Sequence, residues 1–185
     1  MINRQELKKE IICSLNEQGF VIQGKEICLP SDGSKASVRC VHEKSVLTKR
    51  NKAAGKLKKK ESMLLSYLAD GKEIEPRKIT PRLHLVQRKT DDELLFRYAC
   101  LHWSIPVSSG YGRRLRYLVY DDYNGKLIGL FGLGDPVFSM KARDNWVGWD
   151  MEARRKRLRH VVDAFVLGAV PPYSYLLGGK LIAML

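Results

Sequence analysis

The chain has 185 residues, 44% of them hydrophobic, enough to bury a core and too apolar for a disordered polyelectrolyte. Its formal net charge of +13 and pI near 9.7 exclude an acidic scaffold and point to a polyanionic partner, nucleic acid first. The excess is not a tail: 21 basic face 13 acidic residues in 1–100, and 12 face 7 in 101–185.

The N-terminal stretch INRQELKKE is polar and lacks the apolar core of a secretion signal. Asn3 is placed as a helix N-cap with Glu6 three residues on, and Ile2 and Leu7 sit at the staple positions. Leu7, Ile11, Ile12 and Leu15 form one apolar stripe, and Gly19 ends the helix. Residues 20–22 and 27–29 around Gln23-Gly24 read as a short hairpin stopped by Pro30. The four cysteines, Cys13, Cys28, Cys40 and Cys100, are too scattered for a disulfide framework. Cys28, Cys40 and His42 lack the paired spacing of a structural zinc site, so no metal is expected. With no apolar run of ~18–20 residues, a cytoplasmic protein that does not enter a membrane is expected.

Residues 49–60, KRNKAAGKLKKK, hold seven basic residues and no acid. They read as a solvated loop and helix start, because Leu57, Leu64, Leu65 and Leu68 give helical spacing immediately after. They equally suit phosphate contact through Lys49, Arg50, Lys52, Lys56, Lys58, Lys59 and Lys60. Pro76 and Pro81 mark an extended connector over 74–85, and a boundary is expected in 70–90, giving segments 1–90 and 91–185. Residues 94–100 fit a strand or a short helix. Beyond them, 116–121 and 127–133 flank Asn124-Gly125, a hairpin signal whose type I′ turn needs positive φ at both positions. Gly129, Gly132 and Gly134 suggest a bulge or a close backbone approach, not a dinucleotide fingerprint.

Asp150 is placed as the N-cap of a helix over 151–162, with Arg154, Arg155, Arg157 and Arg159 mainly off its apolar face. Residues 164–170 read as a buried strand ending at Pro171-Pro172, with Asp163 a candidate buried acid. Arg143-Asp144 and Trp149-Asp150 bracket Trp146 and suggest a fixed, partly buried loop. Tyr111, Arg113, Arg114, Arg116 and Tyr117, with Trp103 nearby, interleave guanidinium forks with rings, a mix that grips phosphates and stacks bases. No Ser–His–Asp order, activated cysteine or paired carboxylate is evident, so the residues leave enzymatic activity undecided.

Residues 110–183 combine unusual local sequences: Gly-Tyr-Gly-Arg-Arg, Gly-Asp-Pro-Val-Phe, Ala-Arg-Asp-Asn-Trp-Val-Gly-Trp, Gly-Ala-Val-Pro-Pro-Tyr-Ser and Leu-Leu-Gly-Gly-Lys. Together these resemble the bacterial DruA family. The resemblance implies a component of a Druantia anti-phage defence system, with other proteins of that system as partners. It also implies a longer protein, and the apolar run 180–185, without cap or polar tail, is expected to meet a partner, a second copy or further chain.

The order of hairpin, basic helix, central strand, glycine turn and helix is similar to the GNAT acetyltransferase fold. That resemblance implies an α+β protein: a helical and hairpin N-terminal segment, then a mixed, largely antiparallel sheet incomplete at the C-terminus. In that family the turn R/Q-x-x-G-x-G/A grips the pyrophosphate of coenzyme A. The matching positions are Tyr175, Gly178 and Lys180, which lack the first Arg or Gln and put a side chain at the third. An anion on Tyr175, Gly178, Gly179 and Lys180 survives that mismatch better than coenzyme A does. Three functions are expected in order: a nucleic-acid-contacting module (DNA before RNA), an acyltransferase-like enzyme using a nucleotide phosphate, and a scaffold docking other defence proteins.

Overall fold

The computed structural model describes residues 3–28, 34–103, 112–176 and 178–185. The chain divides into two compact units, Met1–Lys59 with Leu101–Pro106, and Lys60–Cys100 with Val107–Leu185.

In the first unit, helix α1 (Arg4–Glu17) starts at the expected capping box. The Gln5 amide donates to Asn3 Oδ1 and the Asn3 amide to Glu6 Oε2, both at 3.2 Å. Leu7 and Ile11 of its apolar stripe are nonetheless exposed. Gly19, at φ 92°, closes the helix, and β1 (Val21–Gln23) pairs antiparallel with β2 (Glu26–Cys28). Ile2 and Pro30 lie outside the described residues. Helix α2 (Lys35–Leu57) is capped by Ser34, whose side chain accepts from the Ser37 amide. It runs through 49–57, where a loop and helix start were expected. The reason is local: no proline interrupts 35–57, Ala53 and Ala54 are strong helix formers, and Gly55 alone is tolerated. A single 3₁₀ turn, Lys58–Lys60, follows.

The second unit holds α3 (Glu61–Ser66), β3 (Pro81–Leu85), α4 (Asp91–Ala99), β4 (Arg114–Asp121), β5 (Lys126–Gly134), α5 (Lys141–Val147), α6 (Met151–Arg157), β6 (Asp163–Ala169) and α7 (Gly178–Met184). The ambiguous run at 94–100 is thus helical. The protein is α+β. Its sheet is a meander in the order β3-β4-β5-β6 with every pair antiparallel, so no parallel pair makes it mixed among the described residues. Pro81, which cannot donate to a ladder, sits at the start of an edge strand.

Both faces of this sheet are covered. The Tyr120 hydroxyl donates to Asp92 at 3.4 Å, and the Arg116 guanidinium lies 5.9 Å from the Phe96 ring. These contacts put α4 on the face of Arg116, Leu118 and Tyr120, with Leu95 and Phe96 buried there. On the opposite face Val119, Ile128, Ala169, Tyr173 and Ile182 form one buried cluster under α7.

The expected hairpin forms, but not with a type I′ turn. Residues 122–125 make a four-residue turn in which Gly125 (φ 73°) has positive φ and Asn124 does not. The Gly125 amide closes it on the Asp121 carbonyl at 2.7 Å. Asp121 itself is fully buried. Its Oδ1 accepts from the amides of Thr80 (2.9 Å) and Tyr123 (3.1 Å), and its Oδ2 from the Tyr173 hydroxyl (2.8 Å). Burial, more than that carboxylate, pushes the Tyr173 hydroxyl well above its ordinary pKa of 10. Asp121 is thus an acid that this fold does bury. Asp163, at the start of β6, is exposed, because it precedes the part of the strand that α7 covers.

Two register shifts, at Val119/Tyr120 and Gly132/Leu133, mark bulges in β4–β5 and β5–β6. A side chain at Gly132 would run into the ring of Phe165.

Candidate nucleic-acid interface

In the first unit, Lys49, Lys52 and Lys56 are spaced three and four apart, which sets them on one stripe of α2. The Lys49 ammonium bonds the Trp103 carbonyl oxygen. The Lys56 side chain lies outside the described residues. Arg50, Lys52, Lys58 and Lys59 are exposed. Arg50 also lines a cavity of about 440 Å³ with His42, Val46 and His102. Burial, and then the Arg50 charge, holds the His102 imidazole below its ordinary 6.5.

In the second unit, Lys60 is ion-paired with Asp91 at 2.7 Å. Arg116 pairs with Glu93 at 2.9 Å, and the Arg114 guanidinium lies 4.2 Å from the Phe165 ring centroid. Asp144 is buried between two guanidinium groups, Arg143 at 2.7 Å and Arg154 at 2.9 Å. Burial pushes the Asp144 carboxyl up, but hydrogen bonds from Arg143 and Arg154 outweigh it and leave the group below its ordinary value. Arg154 therefore ties α6 to α5 while its guanidinium rests 4.9 Å from the Phe138 ring. The bracket around Trp146 is helical and not a buried loop: Trp146 is 91% exposed, because it points away from the Asp144 side of α5.

The strand ends bring together what the sequence separates. Arg113 enters β4 where Asp135 leaves β5. The Arg113 amide donates to Asp135 Oδ2 at 2.8 Å, and its Nε to Oδ1 at 2.6 Å. These contacts, the amide first, hold the Asp135 carboxyl below its ordinary value. Gly112, at φ 81°, makes room for that carboxylate. With the pair, Phe138, Arg155, Leu158 and Arg159 line an open cleft of about 630 Å³. Asp150 caps α6 as expected, accepting from the Ala153 amide at 2.7 Å. That helix ends at Arg157 and passes into a 3₁₀ turn, Leu158–His160. Arg157 is exposed beside the cleft residues in sequence. The sequence put Arg159 off the apolar face of this helix without marking it as a contact residue, and it did not mark Phe138. The i, i+4 spacing of Arg155 and Arg159 about Leu158 was the available signal, whereas nothing local pointed to Phe138. Tyr111, expected to contribute a ring, lies outside the described residues.

The glycine turn is differently built. After β6, Pro171-Pro172 (a cis bond) leads into a 3₁₀ turn, Tyr173–Leu176, before α7 begins. Gly178 is buried, and a Cβ there would sit 2.5 Å from the Tyr173 carbonyl oxygen and 2.8 Å from the Ala169 Cβ. Close packing against β6 thus accounts for Gly178. Gly179 has open space around its Cα, and Tyr175 and Lys180 are exposed. Among the described residues no group of His, Cys, Asp and Glu could hold a metal ion, and no helix is long and apolar enough to cross a membrane.

Comparison with known proteins gives a consistent answer. The Druantia protein DruA family matches over residues 32–185. Druantia protein DruA of Escherichia coli (strain UMEA 4076-1) is 46% identical over 185 residues, which is 100% of this chain and 46% of that protein. The chain thus spans about half the length of this curated relative. No solved structure matches. Its motifs at 110–183 and its match over most of its length agree: the chain belongs to the Druantia protein DruA family.

Proposed function

We propose that this chain serves a Druantia-type anti-phage defence system in the cytoplasm, with other proteins of that system as partners, and that its own task there is to contact DNA. The observation that carries the reading is how the basic groups divide. Lys60, Arg113, Arg116 and Arg154 are matched by carboxylates. Arg50, Lys52, Lys58 and Lys59 in one unit, and Arg155, Arg157 and Arg159 in the other, are exposed with no carboxylate in ion-pair range among the described residues. Unmatched, solvent-facing guanidinium and ammonium groups are what displace counterions from a phosphate backbone.

The test is fluorescence anisotropy with a labelled DNA duplex across a salt series. If six or more phosphates are engaged, affinity falls by ~10³ or more between about 50 and 200 mM salt. An affinity that stays flat over that range defeats the reading. A matched RNA duplex, run in parallel, tests the preference for DNA.

A further inference from the structure

The cleft at the open end of the β4–β5 hairpin has apolar as well as basic lining. Its charges do not all do the same work. Both oxygens of Asp135 are occupied by Arg113, so that pair is internally neutralised and forms one wall. Arg155 and Arg159 line the same cleft as the unmatched charges. Arg159 is oriented by its Nε, which donates to His160 Nε2 at 3.0 Å and leaves the terminal nitrogens of the fork available. The apolar lining includes Leu158, 8% exposed, and Phe138, 55% exposed with the Arg154 guanidinium over its ring. A phosphate alone would need the two arginines and no floor. A floor of ring and aliphatic carbon under a fork of two arginines suits a flat apolar group carrying an anion. About 630 Å³ is within the range of pockets that take a small organic ligand.

We propose that this cleft takes one unpaired nucleotide of a DNA strand, its base over Phe138 and Leu158 and its phosphate on Arg155 and Arg159. The inference rests on the nucleic-acid reading above and narrows it: the site reads the absence of pairing, since a base held in a duplex has its faces already stacked. Electrostatics alone would favour the duplex, which has the higher charge density. A preference for unpaired DNA therefore has to come from the floor.

The experiment uses the whole chain and anisotropy with three labelled DNAs: a blunt duplex, the same duplex with a gap of a few unpaired nucleotides, and a single strand. Free deoxyadenosine monophosphate is the competitor. The gapped and single-stranded DNAs are expected to bind ~5- to 150-fold tighter than the blunt duplex, the range of one stacked base. That ratio falls to near 1 in R155Q/R159Q, which keeps the stems of two exposed side chains. It falls likewise in Phe138→Leu, which keeps apolar bulk and loses the ring. Should Phe138→Leu fail to fold, Phe138→Met, which keeps more bulk and still loses the ring, takes its place as the test of the floor. Equal binding of all three DNAs by the unaltered protein, with a steep salt dependence, overturns the pocket and leaves the nucleic-acid reading standing. Absence of binding to any DNA overturns both. Displacement of gapped DNA by micromolar deoxyadenosine monophosphate overturns the strand assignment in favour of a free nucleotide.

Discussion

Replacing Asp121 by alanine and by asparagine tests what holds the turn end of the sheet. Alanine leaves the amides of Thr80 and Tyr123 without their acceptor in a site where Asp121 was fully buried. Tyr173 fares better, because its hydroxyl can turn fully to Asn124 Oδ1, 3.3 Å away. Two orphaned amides at ~1–3 kcal/mol each, with the carboxylate's volume also lost, put Asp121→Ala at about 3–5 kcal/mol of stability, the range for disrupting a buried polar network. Asparagine keeps an oxygen where Oδ1 accepts both amides and offers an NH₂ toward the Tyr173 oxygen. Its cost should be near 1 kcal/mol, the worth of one ordinary hydrogen bond. Urea unfolding followed by far-ultraviolet circular dichroism at neutral pH measures both. An alanine variant within about 1 kcal/mol of the unaltered protein, or an asparagine variant as damaged as the alanine one, would refute the account.

Gly178→Ala forces a Cβ to within 2.5 Å of the Tyr173 carbonyl oxygen and is expected to cost ~1–3 kcal/mol by overpacking. Gly179→Ala meets nothing within 4 Å and is expected to gain up to ~0.5–1 kcal/mol from helix propensity; thermal melts of the two single variants read the contrast. His102 has its folded pKa below the ordinary 6.5, so on acidification the unfolded chain takes up the proton first. Stability should then be constant above about pH 6.5 and fall as pH drops below it. Melts across that window should show this slope, and His102→Gln should flatten it.

Elements whose signals are local were legible. Asn3 and Asp150 cap helices where their side chains said they would, and Asn124-Gly125 turns a hairpin. What escaped depends on partners distant in the chain. Residues 49–57 looked like a solvated loop because charge dominates them, yet helix propensity carries α2 through the run. Lys60, Arg113, Arg116 and Arg154 looked equivalent to their neighbours, but their carboxylates sit 31, 22, 23 and 10 residues away. Gly178 looked like a phosphate-binding glycine, because a sequence does not say whether the space beside a glycine is filled by a ligand or by the Tyr173 carbonyl. The cleft was half visible: Arg113 and Arg155 were singled out, while Phe138 and Arg159 reach it only through the fold.

The glycines of β5 have a bearing on how the sheet chooses its alignment. Phe165 of β6 lies where a side chain at Gly132 would be, and the Ala169 Cα comes within 2.8 Å of where one at Gly129 would be. Sliding β6 by one residue turns its inward side chains outward. Sliding it by two can satisfy one contact but not the other. With Phe165 moved over Gly134, Ala169 is carried from Gly129 to Phe131, whose ring already stacks on Tyr117 at 4.7 Å. Moved the other way, Phe165 meets the buried side chain of Leu130. Two notches cut at an uneven interval into one strand thus admit its neighbour in a single position, a key fitted by omission of atoms and not by attraction between them.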